Sequence, residues 1–167
     1  MSRATEQTTR WLDDVEMRAW RTFIETVNDV TGLLEADLQH GKGLSIGDYQ
    51  VLVFLSEATD RQMRMSDLAA ELHLSPSGLT RRLDGLVRAG LVSRQPSADD
   101  RRVLLAVLTD AGFERIADAA PEHVASVRRR LLDALTREQI EQLGEILDAV
   151  RAHLAADCPP GGCVIDE

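Results

Sequence analysis

Cysteine is nearly absent from this chain, and what there is lies at one end. The two cysteines, Cys158 and Cys163, both fall in the stretch CPPGGC, so no disulfide framework can hold the body of the fold. Long apolar runs are missing too. VLVFL and VLLAVL are far too short to span a bilayer, and the opening MSRATEQTTR has no apolar core of a secretory signal. The expectation is a soluble, cytoplasmic protein. Catalytic patterns are also lacking: there is no phosphate-binding glycine loop, no nucleophile motif and no histidine–carboxylate spacing suited to metal hydrolysis. Neither an enzyme nor a cofactor is expected. The four histidines, His40, His73, His123 and His153, are scattered. His153 with Cys158 and Cys163 gives a spacing unlike common zinc sites, so no metal is expected.

Positive charge is scarce overall. The formal net charge is −9 and the pI is near 4.9, which excludes unfocused binding to nucleic acid or to an anionic membrane. Its distribution says more. From Pro76 to Leu108 six arginines face three aspartates, a balance of +3, so the rest of the chain carries −12. Arginine has been concentrated in one window.

Around that window the apolar spacing is mostly helical. From Thr9 to about Leu38, Trp11, Val15, Ala19, Phe23, Val27 and Val30 recur at helical intervals, with a second apolar face at Leu12, Trp20 and Ile24. HGKG, from His40 to Gly43, is expected to break this helix. A second helix follows Ser45 and buries Tyr49, Leu52 and Leu55. Ser66 is expected to cap a short third helix with Leu68, Ala69 and Leu72 on its apolar face. Ser75 followed by Pro76 reads as an N-cap and first helical position; Leu79, Leu83, Leu86 and Val87 form one stripe, and Gly90 ends the helix. Two short helices joined by a tight turn make a helix-turn-helix.

LVSRQ and RVLLAVL favour strands, and PSADDR between them has turn chemistry, so the pair reads as a β-hairpin. Thr109 caps another helical run, in which Pro121 should kink or break the chain. TREQ, from Thr136 to Gln139, matches a capping box ahead of a last helix lined by Ile140, Leu143, Leu147, Val150 and Leu154.

A helix-turn-helix followed by a charged hairpin suits duplex DNA. The second helix enters the major groove, and the hairpin tip reaches the flanking minor groove, where arginine is favoured. The face opposite the leucine stripe offers Ser77, Thr80, Arg81, Asp84 and Arg82, while Ser75 and Ser77 sit where free helix amides meet a phosphate. Arg101 or Arg102 is the natural minor-groove residue, with Asp99 or Asp100 expected to hold one of them by a charge-assisted pair. Arg94 contacts either DNA or a neighbouring acid, and Arg88 is either a solvated helix arginine or a phosphate contact. The run Arg128–Arg130 reads as a solvated helix face.

The order of helices and the segment SPSGLTRRLDGLVRAGLVSRQPSADDRRVLLAVLTDAG, with its Asp-Arg-Arg triplet, resemble the MarR family of winged-helix transcriptional regulators. The resemblance runs from roughly Thr9 to Ala155. It implies a mainly α fold with a small β-hairpin wing: a dimerisation helix in residues 1–38, a winged helix-turn-helix in 44–108, and further dimerisation helices in 109–156. Outside the resemblance, the tail in 157–167, with its Pro-Pro and Gly-Gly pairs, is expected to be disordered. The resemblance also implies a homodimer with interlocking terminal helices, a pseudo-palindromic operator, and release by a small phenolic or anionic effector. By position Ser77, Thr80 and Arg81 fall on the recognition helix, and Asp100 and Arg101 on the wing. Trp20, Phe23 and Tyr49 either line an effector cavity or fill the core. Two other functions share these features: an acidic protein-interaction module of the same fold, and an oxidant sensor working through Cys158 and Cys163.

Overall fold

The chain enters its first helix at Asp13, whose carboxylate accepts the amides of Val15 and Glu16 while the Glu16 side chain accepts the Asp13 amide. Two orphan amides of the first turn are satisfied in this way. Helix α1 (Asp14–Lys42) then runs about 44 Å at helical rise. Residues 9–157 are described by this computed structural model; the tail, with Cys158 and Cys163, lies outside them. There follow α2 (Ile46–Glu57), a single 3-10 turn, β1 (Gln62–Arg64), α3 (Met65–Glu71), α4 (Pro76–Arg88), β2 (Val92–Pro96) and β3 (Leu104–Leu108). The order closes with α5 (Asp110–Arg130), a second 3-10 turn and α6 (Arg137–Asp157).

Local sequence chemistry accounts for most boundaries. Ser45, Ser75 and Thr109 each accept an amide of the first turn of α2, α4 and α5. Thr136 and Gln139 close the expected capping box on α6. Helix α4 ends as a Schellman motif: Gly90, at φ 72°, donates to the Val87 carbonyl, and Leu91 donates to Leu86.

Four expectations are corrected. Helix α1 does not stop near Leu38 but passes through His40 and Gly41 to a cap at Gly43, φ 60°. Tertiary contacts hold that last turn: the Arg115 guanidinium donates to the Lys42 carbonyl, and Lys42 pairs with Asp118 and Glu122 of α5. Ser66 is not the cap of α3, which starts one residue earlier; its hydroxyl donates instead to Asp67. Pro121 does not break α5. One ladder bond is lost there, but contacts to α1 on both sides of the proline, Asp118 and Glu122 to Lys42 and Ser126 to Asp37, hold the two halves in line. Finally, the hairpin gains a third strand. β1 pairs antiparallel with β3, Met63 opposite Ala106, giving the order β1-β3-β2.

One apolar core joins these pieces. Leu38 near the end of α1, Leu44 in the turn that follows it, Val51, Leu52 and Leu55 of α2, Leu68 of α3, Leu79, Leu83 and Leu86 of α4, Val92, Ala106 and Leu108 of the sheet, and Ile116 and Ala119 of α5 are all buried in it. The amino-terminal half of α1 and all of α6 stay outside. Apolar residues on them face solvent, Val15 at 77%, Ile146 at 62% and Leu154 at 59% exposure, as does Trp11, just ahead of α1, at 82%.

A polar clamp fastens α1 to α5. The Asp37 carboxylate accepts from Ser126, Arg129 and Arg130, both oxygens being engaged by Arg130 at 3.1 Å. The run Arg128–Arg130 is thus only partly a solvated face. The Arg130 guanidinium first, then the Ser126 hydroxyl, hold the Asp37 carboxyl well below the usual carboxylate range. A depressed folded-state pKa adds stability that is present above the unfolded carboxylate value, about 4, and is lost as pH falls below it. Asp37→Asn should therefore melt several degrees lower than the parent at pH 7, and the gap should narrow below about pH 4, as read by circular dichroism.

Candidate nucleic-acid interface

Helix α4 has two faces. Leu79, Leu83 and Leu86 are at most 3% exposed and bind it to the core. The opposite face presents Ser77, Thr80, Arg81, Asp84 and Arg88 to solvent. At its amino end the Ser75 hydroxyl accepts the Gly78 amide at 3.1 Å and lies 3.1 Å from Ser77 Oγ. Thr80 turns its hydroxyl back to the Pro76 carbonyl at 2.8 Å. The turn between α3 and α4 passes through His73 at φ 52°, a left-handed conformation that histidine adopts more readily than most residues.

Arg81 projects from the exposed face with no hydrogen bond or ion pair among the described residues. Arg82 does not share that face. It is half-buried at the edge of the leucine stripe, and its guanidinium occupies the space where a Cβ on Gly47 of α2 would lie. Arg88 folds back, its Nε donating to the Asp84 carbonyl at 3.2 Å.

The wing is a tight hairpin. Ser93, Arg94 and Gln95 pair with Val107, Ala106 and Leu105, and the tip is stiffened by its own backbone. Ser97 donates to the Val103 carbonyl and Val103 to the Asp100 carbonyl. Asp100 does not hold an arginine side chain as expected. Its Oδ1 accepts the Arg102 amide at 2.9 Å, a turn-forming bond that shapes the tip. Asp99 uses its amide, donating to Ser97 Oγ at 3.3 Å. Arg101 and Arg102 are left exposed with no acid partner among the described residues.

Arg94 behaves differently from the other arginines of the window. Its Nη2 reaches the Thr80 carbonyl and Asp84 Oδ1, each at 2.8 Å. Of the two destinations open in the sequence, an acidic neighbour is the one the structure shows. Sequence spacing could not reveal this contact, because the two residues meet only when the wing folds against α4.

Trp20, Phe23 and Tyr49 do not gather into one lining within the chain. Trp20 and Phe23 stack loosely on α1, ring centres 6.5 Å apart. Tyr49 is buried, its ring 4.4 Å from that of His123. Glu35, which accepts the amide of Ile46 at the start of α2, lies about 22 Å along α1 from Trp20. Burial pushes the Tyr49 hydroxyl up and the His123 imidazole down in pKa, so both stay neutral near pH 7. No group of histidine, cysteine and carboxylate side chains suited to a metal occurs among the described residues.

Comparison with known proteins matches this arrangement. The MarR family model covers residues 42–103, from the end of α1 to the wing tip. The structure of AbsC, a MarR family transcriptional regulator from Streptomyces coelicolor, shares 44% identity over 89% of this chain and 99% of its own, with a TM-score of 0.84. The chain belongs to the MarR family. A second MarR structure from the same organism, Sco3205 in complex with DNA, is 36% identical over 87% of this chain and 92% of its own, TM-score 0.83. The transcriptional repressor YetL of Bacillus subtilis is 27% identical over 126 residues, 72% of this chain and 75% of that protein. The mainly α fold with its small antiparallel sheet is therefore the MarR winged helix. No helix among the described residues is long and apolar enough to cross a membrane.

Ser75→Ala should cost about 1 kcal/mol of stability by removing the N-cap of α4. Ser77→Ala, which removes no amide acceptor, should cost much less; thermal unfolding of the two variants side by side measures the difference.

Proposed function

We propose that this MarR protein is a dimeric transcriptional regulator, acting as a repressor in the cytoplasm, that binds a pseudo-palindromic operator. Helix α4 reads the major groove through Thr80 and Arg81, with Ser75 and Ser77 at its amino end beside a phosphate. The wing tip carries Arg101 into the adjacent minor groove, and Arg102 lies on the backbone beside it. One observation carries this reading. In a chain of net charge −9, Arg81, Arg101 and Arg102 stand exposed, with no partner among the described residues, on one helix face and the hairpin beside it. The DNA complex of Sco3205 supports it by likeness.

A dimer follows from what the chain leaves uncovered. Trp11, Val15, Trp20, Phe23 and Val27 on the approach to and along α1, with Ile146, Leu147, Val150 and Leu154 on α6, form apolar surface left exposed among the described residues. A monomer keeps little surface of that kind without purpose. Two copies joined through these arms place two recognition helices about 34–36 Å apart, one turn of DNA. A small effector that shifts the spacing of the two lobes weakens both half-sites together.

Fluorescence anisotropy on the duplex flanking the protein's own gene, beside an unrelated duplex and across a salt series, tests the reading. Sequence-preferring binding that weakens steeply with salt is expected; binding to neither duplex at low salt would reject it. Arg101→Ala should weaken binding with helix content unchanged, whereas Arg81→Ala should cost about 1–3 kcal/mol of discrimination between the two duplexes. Val150→Asp combined with Leu154→Asp should turn a dimer into a monomer by light scattering and abolish operator binding with it.

A further inference from the structure

The arginine that the wing spends on the protein itself is the feature left unexplained by direct DNA contact. Arg94 sits in the middle of β2, opposite the fully buried Ala106. Its side chain is 25% exposed, against 50% for Asp84. One nitrogen, Nη2, bridges the Thr80 carbonyl and the Asp84 carboxylate, while Nε is buried with no hydrogen-bond partner among the described residues. Burying most of a guanidinium and leaving one of its donors unmatched costs stability. The bond it secures joins the wing to the recognition helix.

The geometry points to Arg94 as a positioning residue for sequence readout rather than a DNA contact; this rests on the DNA-binding reading above. Its consequence is mechanical and electrostatic together. Thr80 and Asp84 are one helical turn apart on the exposed face of α4, next to Arg81. Tying both to β2 fixes the roll of α4 relative to the hairpin that carries Arg101, so groove-reading side chains from two elements keep one spacing. The same guanidinium neutralises Asp84, a carboxylate that would otherwise oppose the phosphates beside the recognition face. A direct phosphate contact adds affinity for every sequence alike. A positioning residue adds affinity only where base contacts exist to be positioned.

The two roles separate in a salt series with the full chain, using Arg94→Ala, Arg94→Lys and Asp84→Asn on the operator and on an unrelated duplex, with amide hydrogen exchange of the DNA-free protein alongside. If Arg94 positions, Arg94→Ala loses roughly tenfold on the operator. It then loses little on the unrelated duplex, keeps the parent's salt slope, and exchanges faster across residues 80–84. Arg94→Lys recovers part of the discrimination through its charge. Asp84→Asn lowers discrimination while tightening non-specific binding, a combination that loss of a phosphate contact cannot give. Equal losses on both duplexes, with a log–log slope shallower by about 0.9 per contact removed, would make Arg94 a phosphate ligand and overturn the proposal. Unchanged discrimination would overturn it as well. Should Arg94→Ala fail to fold, Asp84→Asn decides by the same two duplexes. Should the parent bind neither duplex, the DNA-binding reading fails, and exchange over 80–84 still decides whether the brace holds the helix.

Discussion

Burial of Leu79, Leu83 and Leu86 is the constraint on which the rest of the molecule depends. Each is essentially removed from water against α2, α3 and the sheet, a gain of about 1.5–3 kcal/mol apiece. A helix held by one leucine stripe has no choice about its other face. Thr80, Arg81 and Asp84 are presented outward because three leucines point inward, and the 3.6-residue repeat fixes the angle between them. The proposed DNA-facing surface is therefore the complement of the core, and the core holds it far more firmly than any surface ion pair could.

The sheet extends that control to the wing. Val92, Ala106 and Leu108 sink one face of the hairpin into the same core, and Thr109 secures its base by donating to the carbonyls of Gly90 and Leu91. Gly112 sits so close behind that a Cβ there would meet the Leu91 carbonyl oxygen. The base of the hairpin is thus rigid, and only its tip, shaped by Asp100, stands free. Arginines at that tip are displayed by a support that begins in the core.

Signals that act within one turn of helix were legible in the sequence, and signals that need a distant partner were not. Ser45, Ser75, Thr109 and the Thr136–Gln139 box were readable because a cap and its amide lie three residues apart. The extension of α1 past His40 depends on Arg115 and Asp118 in α5, more than seventy residues away. The continuity of α5 through Pro121 depends on α1 in return. Strand β1 is three residues long, too short for an alternating pattern, and exists only because β3 offers it an edge. Arg82 and Arg94 were both drawn into the DNA-facing set by their place in the arginine window. Gly47 and Asp84 claim them, and neither pairing has any trace in local spacing. The resemblance to the MarR family supplied the expectation of dimer arms, which composition alone could not assign.

Among the described residues helix α6 touches the rest of the chain so little that most of its apolar stripe, from Ile146 to Leu154, lies exposed. An isolated helix of about 21 residues with half-apolar character is marginal in water. In the proposed dimer its order becomes a matter of mass action: the arm would consolidate as the second copy arrives, and its stability would rise with the concentration of the protein itself. A regulator built in that way would measure its own abundance. At low copy number the two reading heads would be uncoupled, and with accumulation they would become a paired instrument. The threshold between these regimes would be set by the strength of an apolar seam, far from the proposed DNA-facing residues.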